Sequence, residues 1–427
     1  MSLVIKGAKL LGEQAGDLYV DDSGVLVDSA PSGAETIDAD GLVALPGLVD
    51  LHTHLREPGR EDAETILTGS QAAALGGYTA VLAMANTSPV TDTAEAATRV
   101  WELGREAGLV HVQPVGAVTR GLGGEELAEL GLMARSRAQV RVFSDDGKCV
   151  HDARVMRRAL EYVKAFGGVV SQHSQDPSLA GPSACCHEGE ISGRLGLPGW
   201  PGIAEEVIVA RDVALARHTG SRVHVAHVST AGSVEILRWA KARARQDGHW
   251  DVTAEVTPHH LLLTTDLLTG YDPTFKVNPP LRPDEDVQAL RAALADGTID
   301  AVATDHAPHA RHDKEHAFVD AAFGMVGLET ALSVVRTVMD DFSWADIARV
   351  MSTTPARIAG LGGQGQALAP GSPAHVVLID PDAQVTVDRD ASASLSRNNP
   401  WHGRTFAGRV VHTVYAGRVT VRDGALG

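Results

Sequence analysis

Apolar residues in this chain gather into eight short continuous runs rather than an alternating pattern. They lie at 42–54 (LVALPGLVDLHTH), 78–86, 111–119, 139–147, 167–174, 221–230, 251–261 and 299–309. A strand covered on both faces is apolar throughout, so each run predicts a buried parallel strand. Amphipathic or Ala-rich stretches separate them, among them ETILTGSQAAALGG, RVMRRALEYVKAFG, EEVIVARDVALARHTG and AGSVEILRWAKARARQ. Eight strand–helix units over roughly 300 residues predict an α/β chain with a (β/α)8 barrel rather than a doubly wound sheet. The two ends read differently, as short strands broken by Gly, Pro and Asp turns. They predict a small β-sandwich domain formed from both termini, residues 1–45 and 365–427, around a barrel at 46–364.

Composition narrows the class. The 427 residues can bury one large core and a smaller satellite. Ordinary apolar content with dispersed charge excludes disorder for most of the length. A net charge of −17, with no Lys/Arg cluster interleaved with aromatics, argues against a nucleic-acid partner. No apolar run reaches membrane-spanning length, and the opening MSLVIKGAKLL turns polar too soon for a signal segment. Three cysteines, two of them adjacent (Cys185 and Cys186), cannot form a disulfide framework, so a reducing cytoplasm is expected.

Histidine changes the picture most. The strings HTH (52–54), HVAH (224–227), PHH (258–260) and DHAPHARH (305–312) fall at the C-terminal ends of the predicted strands. Barrel active sites sit at that end. Residues i and i+2 of a strand share a face, so His52 and His54 can reach one ion. Asp145–Asp146, His173, His227 and Asp305 stand on the same rim. Four histidines and two carboxylates make the ligand set of a binuclear hydrolytic centre. Strand parity lets only one of Asp145 and Asp146 face the mouth and does not choose between them. Lys148, the only lysine near that strand end, lies beyond the turn. His259 and His260 read as packing or supporting residues and His312 and His316 as surface ones. His187 and Glu188 read as structural, and Cys149 and Cys186 are not expected to bind metal. Arg56 offers a fork suited to a carboxylate, its alternative being a surface ion pair with Glu57 or Glu61. Asn86 could cap its own loop and Asn278 could brace the NPP turn. The polar, aperiodic stretch 310–323 reads as a mobile lid.

The strings PGLVDLHTHLREPG (46–59), MANT (84–87), FSDDG (143–147), AHVST (226–230), AEVTPHHL (254–261), KVNPPLR (276–282) and ATDHAPH (303–309) carry a family resemblance. Nearly end to end, the chain resembles the amidohydrolase superfamily and, within it, the bacterial type I dihydroorotases. That resemblance implies a zinc-dependent enzyme interconverting N-carbamoyl-L-aspartate and L-dihydroorotate in pyrimidine synthesis. It implies two zinc ions per chain: His52 and His54 on one, His173 and His227 on the other. An aspartate would bridge them, and the interval to His173 selects Asp146. Asp305 would ligate the first zinc and act as general acid–base in the hydroxide attack on the ring amide carbonyl. Substrate would meet His54, Leu55, Arg56, Asn86, Asn278, His309, Phe323 and Gly324. The resemblance further implies a homodimer, with aspartate transcarbamoylase as a candidate partner. Two departures from the family pattern stand out, Ala85 in place of a proline in Met84-Ala85-Asn86-Thr87 and the string Ser174-Gln175-Asp176 after His173, and neither departure is expected to touch a ligand. The competing readings are an allantoinase or hydantoinase, against which Arg56 argues, and an inactive scaffold for the transcarbamoylase, which would have lost metal ligands.

Overall fold

In the computed structural model, which describes residues 2–427, each apolar run contributes one parallel strand. The first four are Leu48–Thr53, Tyr78–Ala83, His111–Pro114 and Val142–Phe143. The last four are Val169–Gln172, Arg222–Val225, Asp251–Val256 and Ala301–Val302. Parallel ladders join the first three in order and the fourth through eighth in order. Isolated parallel bridges, Gly116 to Phe143 and Thr53 to His306, close the two remaining gaps. The result is a (β/α)8 barrel.

The helices between the strands start and stop where the sequence supplies caps. Thr65, Thr93, Asp152 and Thr230 each accept a main-chain N–H through the side chain at a helix start. Gly220 and Gly248 end the two long helices, Ile203–Thr219 and Ala231–Asp247, in the left-handed region. Inner helix residues such as Val209, Val213 and Leu237 pack on strand residues such as Val223 and Val252 in one buried cluster. Each buried aliphatic side chain of this kind contributes roughly 1.5–3 kcal/mol. No helix among the described residues is long and apolar enough to cross a membrane.

Both chain ends build one nine-stranded sheet. Val43–Pro46, just ahead of the barrel, pairs antiparallel with Val376–Ile379 and parallel with Lys9–Leu10. The sheet folds back on itself where Val25 bridges Pro373 and Leu26 N donates to Ser372 O. Leu3, Ile5, Leu18, Val376, Leu378 and Val414 fill the small sandwich so formed. Between its two long strands, Val376–Thr386 and Thr405–Tyr415, the chain passes over the barrel loops. There Ser394 Oγ donates to Glu64, and Ser396 Oγ donates to Ala63 O at 2.7 Å.

Candidate active site

The ends of barrel strands one, four, five, six and eight deliver His52, His54, Asp146, His173, His227 and Asp305 to one spot. All six are at most 5% exposed. Asp146 Oδ1 lies 3.2 Å from His52 Nε2 and 3.3 Å from both His173 Nδ1 and His227 Nε2. Its Oδ2 lies 3.3 Å from His54 Nε2. Asp305 Oδ1 is 3.1 Å from His54 Nε2 and 3.6 Å from His52 Nε2. His173 Nδ1 and His227 Nε2 approach to 2.9 Å. Two overlapping triads have the spacing to hold metal: His52, His54 and Asp305, and His52, Asp146 and His227.

The donor set fits a divalent cation. His52 Nε2 is buried with no hydrogen-bond partner. The far nitrogens of three of the rings meet acceptors: His52 Nδ1 meets Glu255 Oε1 at 3.0 Å, His54 Nδ1 meets Asn86 Oδ1 at 2.9 Å, and His173 Nε2 meets Gln175 Oε1 at 2.8 Å. An acceptor there places the ring proton on that nitrogen and leaves the other lone pair facing the centre, as a metal ligand requires. Nitrogen and carboxylate donors of this kind suit hydrolytic divalent ions, so the cluster is a metal-binding site. Burial alone would raise Asp146 and Asp305. When the rings carry a proton on their inner nitrogens as well, the charge of His52 and the contacts from His173 and His227 at Asp146 and from His54 at Asp305 together outweigh it. Both carboxyls are therefore held below the usual range and are anionic. Arg56, His227 and Asp305 also carry positive φ (61°, 30° and 47°), a region L-residues visit rarely and which concentrates at functional sites.

Asp145 faces the other way. It accepts Val118 N at 2.8 Å and Thr119 N at 2.9 Å, together with the Thr119 hydroxyl. Lys148 is exposed beyond the turn. The residues that hold the rings were missed in the sequence. Glu255 also takes His224 Nε2 at 3.0 Å, and its two imidazole hydrogen bonds overcome burial and bring its carboxyl down to about 2. A lone glutamate inside the apolar run TAEVT was the available signal. Gln175 requires a correction: expected to touch no ligand, it contacts His173 directly and also accepts Asn278 Nδ2 at 3.0 Å. The turn after strand five curls back under the ring, which periodicity does not reveal.

Beside the cluster opens a cavity of about 250 Å³. Arg56, Asn86, Asn278 and His309 line it, with Phe323 and Gly324. Arg56 Nε donates to Pro308 O at 3.0 Å, and its Nη2 lies 3.3 Å from His309 Nε2. Glu57 instead accepts Ile66 N and Glu61 accepts Gly59 N, so neither pairs with the arginine. Burial lowers the guanidinium to about 10. His309 Nε2 donates to Phe323 O at 2.7 Å, and burial followed by the neighbouring Arg56 lowers the ring to about 2, so it is neutral. Asn278 Oδ1 is buried and unpartnered. Leu55 does not join this wall: its side chain packs in the main hydrophobic core, close against Gly69 of the first helix. Its apolar side chain follows the core while its neighbours turn to the mouth. His260 Nε2 donates to Pro279 O at 3.1 Å and braces the turn after Asn278. His312 and His316 are exposed.

Comparison with known proteins matches this architecture. A family model described as dihydro-orotase-like covers residues 41–233, and one for the amidohydrolase family covers 201–420. A dihydroorotase of Streptomyces coelicolor is 58% identical, with 99% of each chain aligned. That of Mycobacterium tuberculosis is 55% identical over the whole of both chains. Among solved structures, L-hydantoinase from Arthrobacter aurescens superposes with a TM-score of 0.85 at 25% identity, covering 100% of this chain and 97% of that one. A dihydropyrimidinase from Brevibacillus agri gives 0.84 at 23%, covering 100% and 96%, and shares the fold. With its barrel, its histidine–aspartate cluster and its full-length similarity, this chain belongs to the dihydroorotase family of amidohydrolases.

Proposed function

We propose that this chain is a dihydroorotase that closes N-carbamoyl-L-aspartate to L-dihydroorotate and reopens it, using two zinc ions. The observation that carries the substrate class is Arg56, a half-buried guanidinium at the cavity with no carboxylate within ion-pair distance among the described residues. A charge in that position calls for an anionic ligand group, and dihydroorotate carries a carboxylate where a plain dihydropyrimidine need not.

His52, His54 and Asp305 would hold one ion and His173 and His227 the other, with Asp146 between them. Bound there, zinc supplies Lewis acidity to the amide carbonyl and lowers the pKa of water. Asp305, anionic and beside His54, takes the proton of the attacking water as its oxygen bonds the ring amide carbon. It returns that proton to the departing nitrogen as the C–N bond breaks. Arg56 holds the carboxylate, Asn278 Oδ1 accepts a ring N–H, and Asn86 keeps His54 turned while facing the ligand. Neutral His309 and the Phe323–Gly324 main chain close the opposite side.

The reading extends to a cytoplasmic homodimer that associates with aspartate transcarbamoylase. Size-exclusion chromatography with and without that enzyme tests the assembly. Rates on dihydroorotate beside 5,6-dihydrouracil and allantoin test the substrate, and faster turnover of either neutral ring would overturn it.

A further inference from the structure

The stretch from Ala310 to Phe323 opens with a run of charged and polar residues, Arg311 to His316, yet its single lysine is buried. Lys314 closes a one-turn helix, Arg311–Lys314, and is 9% exposed. Its Nζ donates to three main-chain oxygens: Ala322 O at 2.8 Å, Gly324 O at 3.1 Å and Lys276 O at 3.2 Å. An ammonium has three protons, and here each goes to a carbonyl. No carboxylate lies within ion-pair distance of it among the described residues. The sequence gives no hint of this, because a lysine in a charged loop reads as solvated.

Of these residues Gly324 lines the catalytic cavity, and Ala322 and Lys276 lie one and two residues from Phe323 and Asn278, which line it too. Lys276 O also receives Gly324 N at 2.9 Å, and Lys276 lies two residues ahead of Asn278. Phe323 O anchors the His309 ring at 2.7 Å. Gly324 O receives Asn398 Nδ2 at 3.1 Å, and the same amide reaches Ala307 O at 2.9 Å, while Asn398 Oδ1 accepts His309 N at 3.2 Å. Gly324 sits at φ +146°, where an added Cβ would stand 2.8 Å from Ala307. The wall is therefore closely fitted, and the Lys314 ammonium joins three of its main-chain oxygens.

We propose that Lys314 is a positioning residue for substrate recognition: its ammonium clamps the 310–324 loop onto the Lys276–Asn278 segment and so fixes where Phe323, Gly324 and His309 meet the ligand. The identity of that ligand rests on the dihydroorotase reading; the clamp does not.

The clamp is poised to respond to pH. Burial, reinforced by neighbouring Lys276, lowers the Lys314 ammonium to about 7, with Asp272 opposing. Lys276 itself donates to Val319 O at 2.9 Å and lies 4.3 Å from the Phe323 ring, with Cys185 and Cys186 behind it. His309 faces Lys314 from the catalytic side. Outward lies a second cavity of about 360 Å³. Arg311, Glu315 and His316 line it from the loop, and Arg389, Asp390 and Arg397 from the segment that crosses the barrel. Below the Lys314 pKa every carbonyl has a proton; above it one faces a lone pair, and the clamp weakens.

Lys314→Met keeps an apolar stem of similar length and removes the donor. In metal-loaded protein, KM for dihydroorotate should rise about tenfold, with kcat within about threefold and metal content unchanged. Wild-type KM should climb between pH 6 and 8.5, while that of the variant stays flat. Hydrogen exchange of the Ala322 and Gly324 amides, read without substrate, should speed up about tenfold in the variant. In the wild type it should speed up above pH 7, after correction for intrinsic rates. Unchanged exchange at those amides, or joint loss of metal and kcat, overturns the clamp. If the wild-type enzyme ignores dihydroorotate, the substrate reading falls and the exchange measurement still decides the clamp.

Discussion

The metal cluster and the recognition wall border the same cavity but are built from different material. Every cluster residue stands at or just past the end of a barrel strand, and side-chain acceptors from Glu255, Asn86 and Gln175 fix three of the ring orientations. The wall stands on loops. Arg56 leans on Pro308 O, His309 on Phe323 O, and the Phe323–Gly324 turn on Lys314 and Asn398. Reacting groups are thus set by the rigid sheet, whereas ligand-holding groups are set by main-chain oxygens whose position can shift with the loops.

If that division is right, damage to the cluster shows in metal content and kcat, and damage to the wall shows in KM alone. The largest effect is expected from Asp146→Ala, which removes the carboxylate four imidazoles surround. Metal analysis should find about half the wild-type content, with turnover nearly abolished, while Lys148→Ala keeps both. Full metal in the first variant, or loss in the second, would move the bridge to a modified lysine. Asp305→Asn keeps a ligand-sized group without the base, and turnover should fall by roughly two to four orders of magnitude. Retention of more than a tenth of the activity would remove Asp305 from proton transfer.

Glu255→Gln sharpens the comparison from beneath the cluster. A neutral acceptor holds His52 less firmly, so titration with a metal buffer should show affinity reduced roughly 10- to 100-fold, with kcat at saturating metal close to wild type. Unchanged affinity would make Glu255 a partner of His224 only. On the wall, Arg56→Met loses a charge-assisted contact of at least about 2 kcal/mol, a rise in KM of roughly 30-fold at constant metal content. If metal is lost there as well, wall and cluster are one mechanical unit.

What was legible in the sequence follows the same boundary. Strand-end residues announce themselves because a buried strand is apolar throughout, so an ionisable group at its C-terminal end stands out, as at His52 and Asp305. Parity left Asp145 and Asp146 undecided, since the choice depends on where the chain leaves the ladder after Phe143. Leu55 sits between His54 and Arg56 in sequence, yet its side chain points into the core, a direction its neighbours in the string do not reveal. Gln175, Lys314 and Asn398 carried no periodic signal: each acts through a partner far away in the chain or through a carbonyl any residue could offer. The terminal strands were readable one by one, but not the pairing of residue 46 with 376.

That last pairing has a consequence for biosynthesis. Pro46 emerges from the ribosome long before its partner Val376, and at typical elongation rates the delay is roughly 15 to 65 seconds. Throughout that interval the early strands present an unpaired edge while the barrel forms behind them. Asn398, which ties His309 to Gly324, emerges later still. A nascent chain that stops short of Asn398 therefore contains all six residues of the histidine–aspartate cluster and lacks one tie of the recognition wall. Competence arrives only with the last tenth of translation.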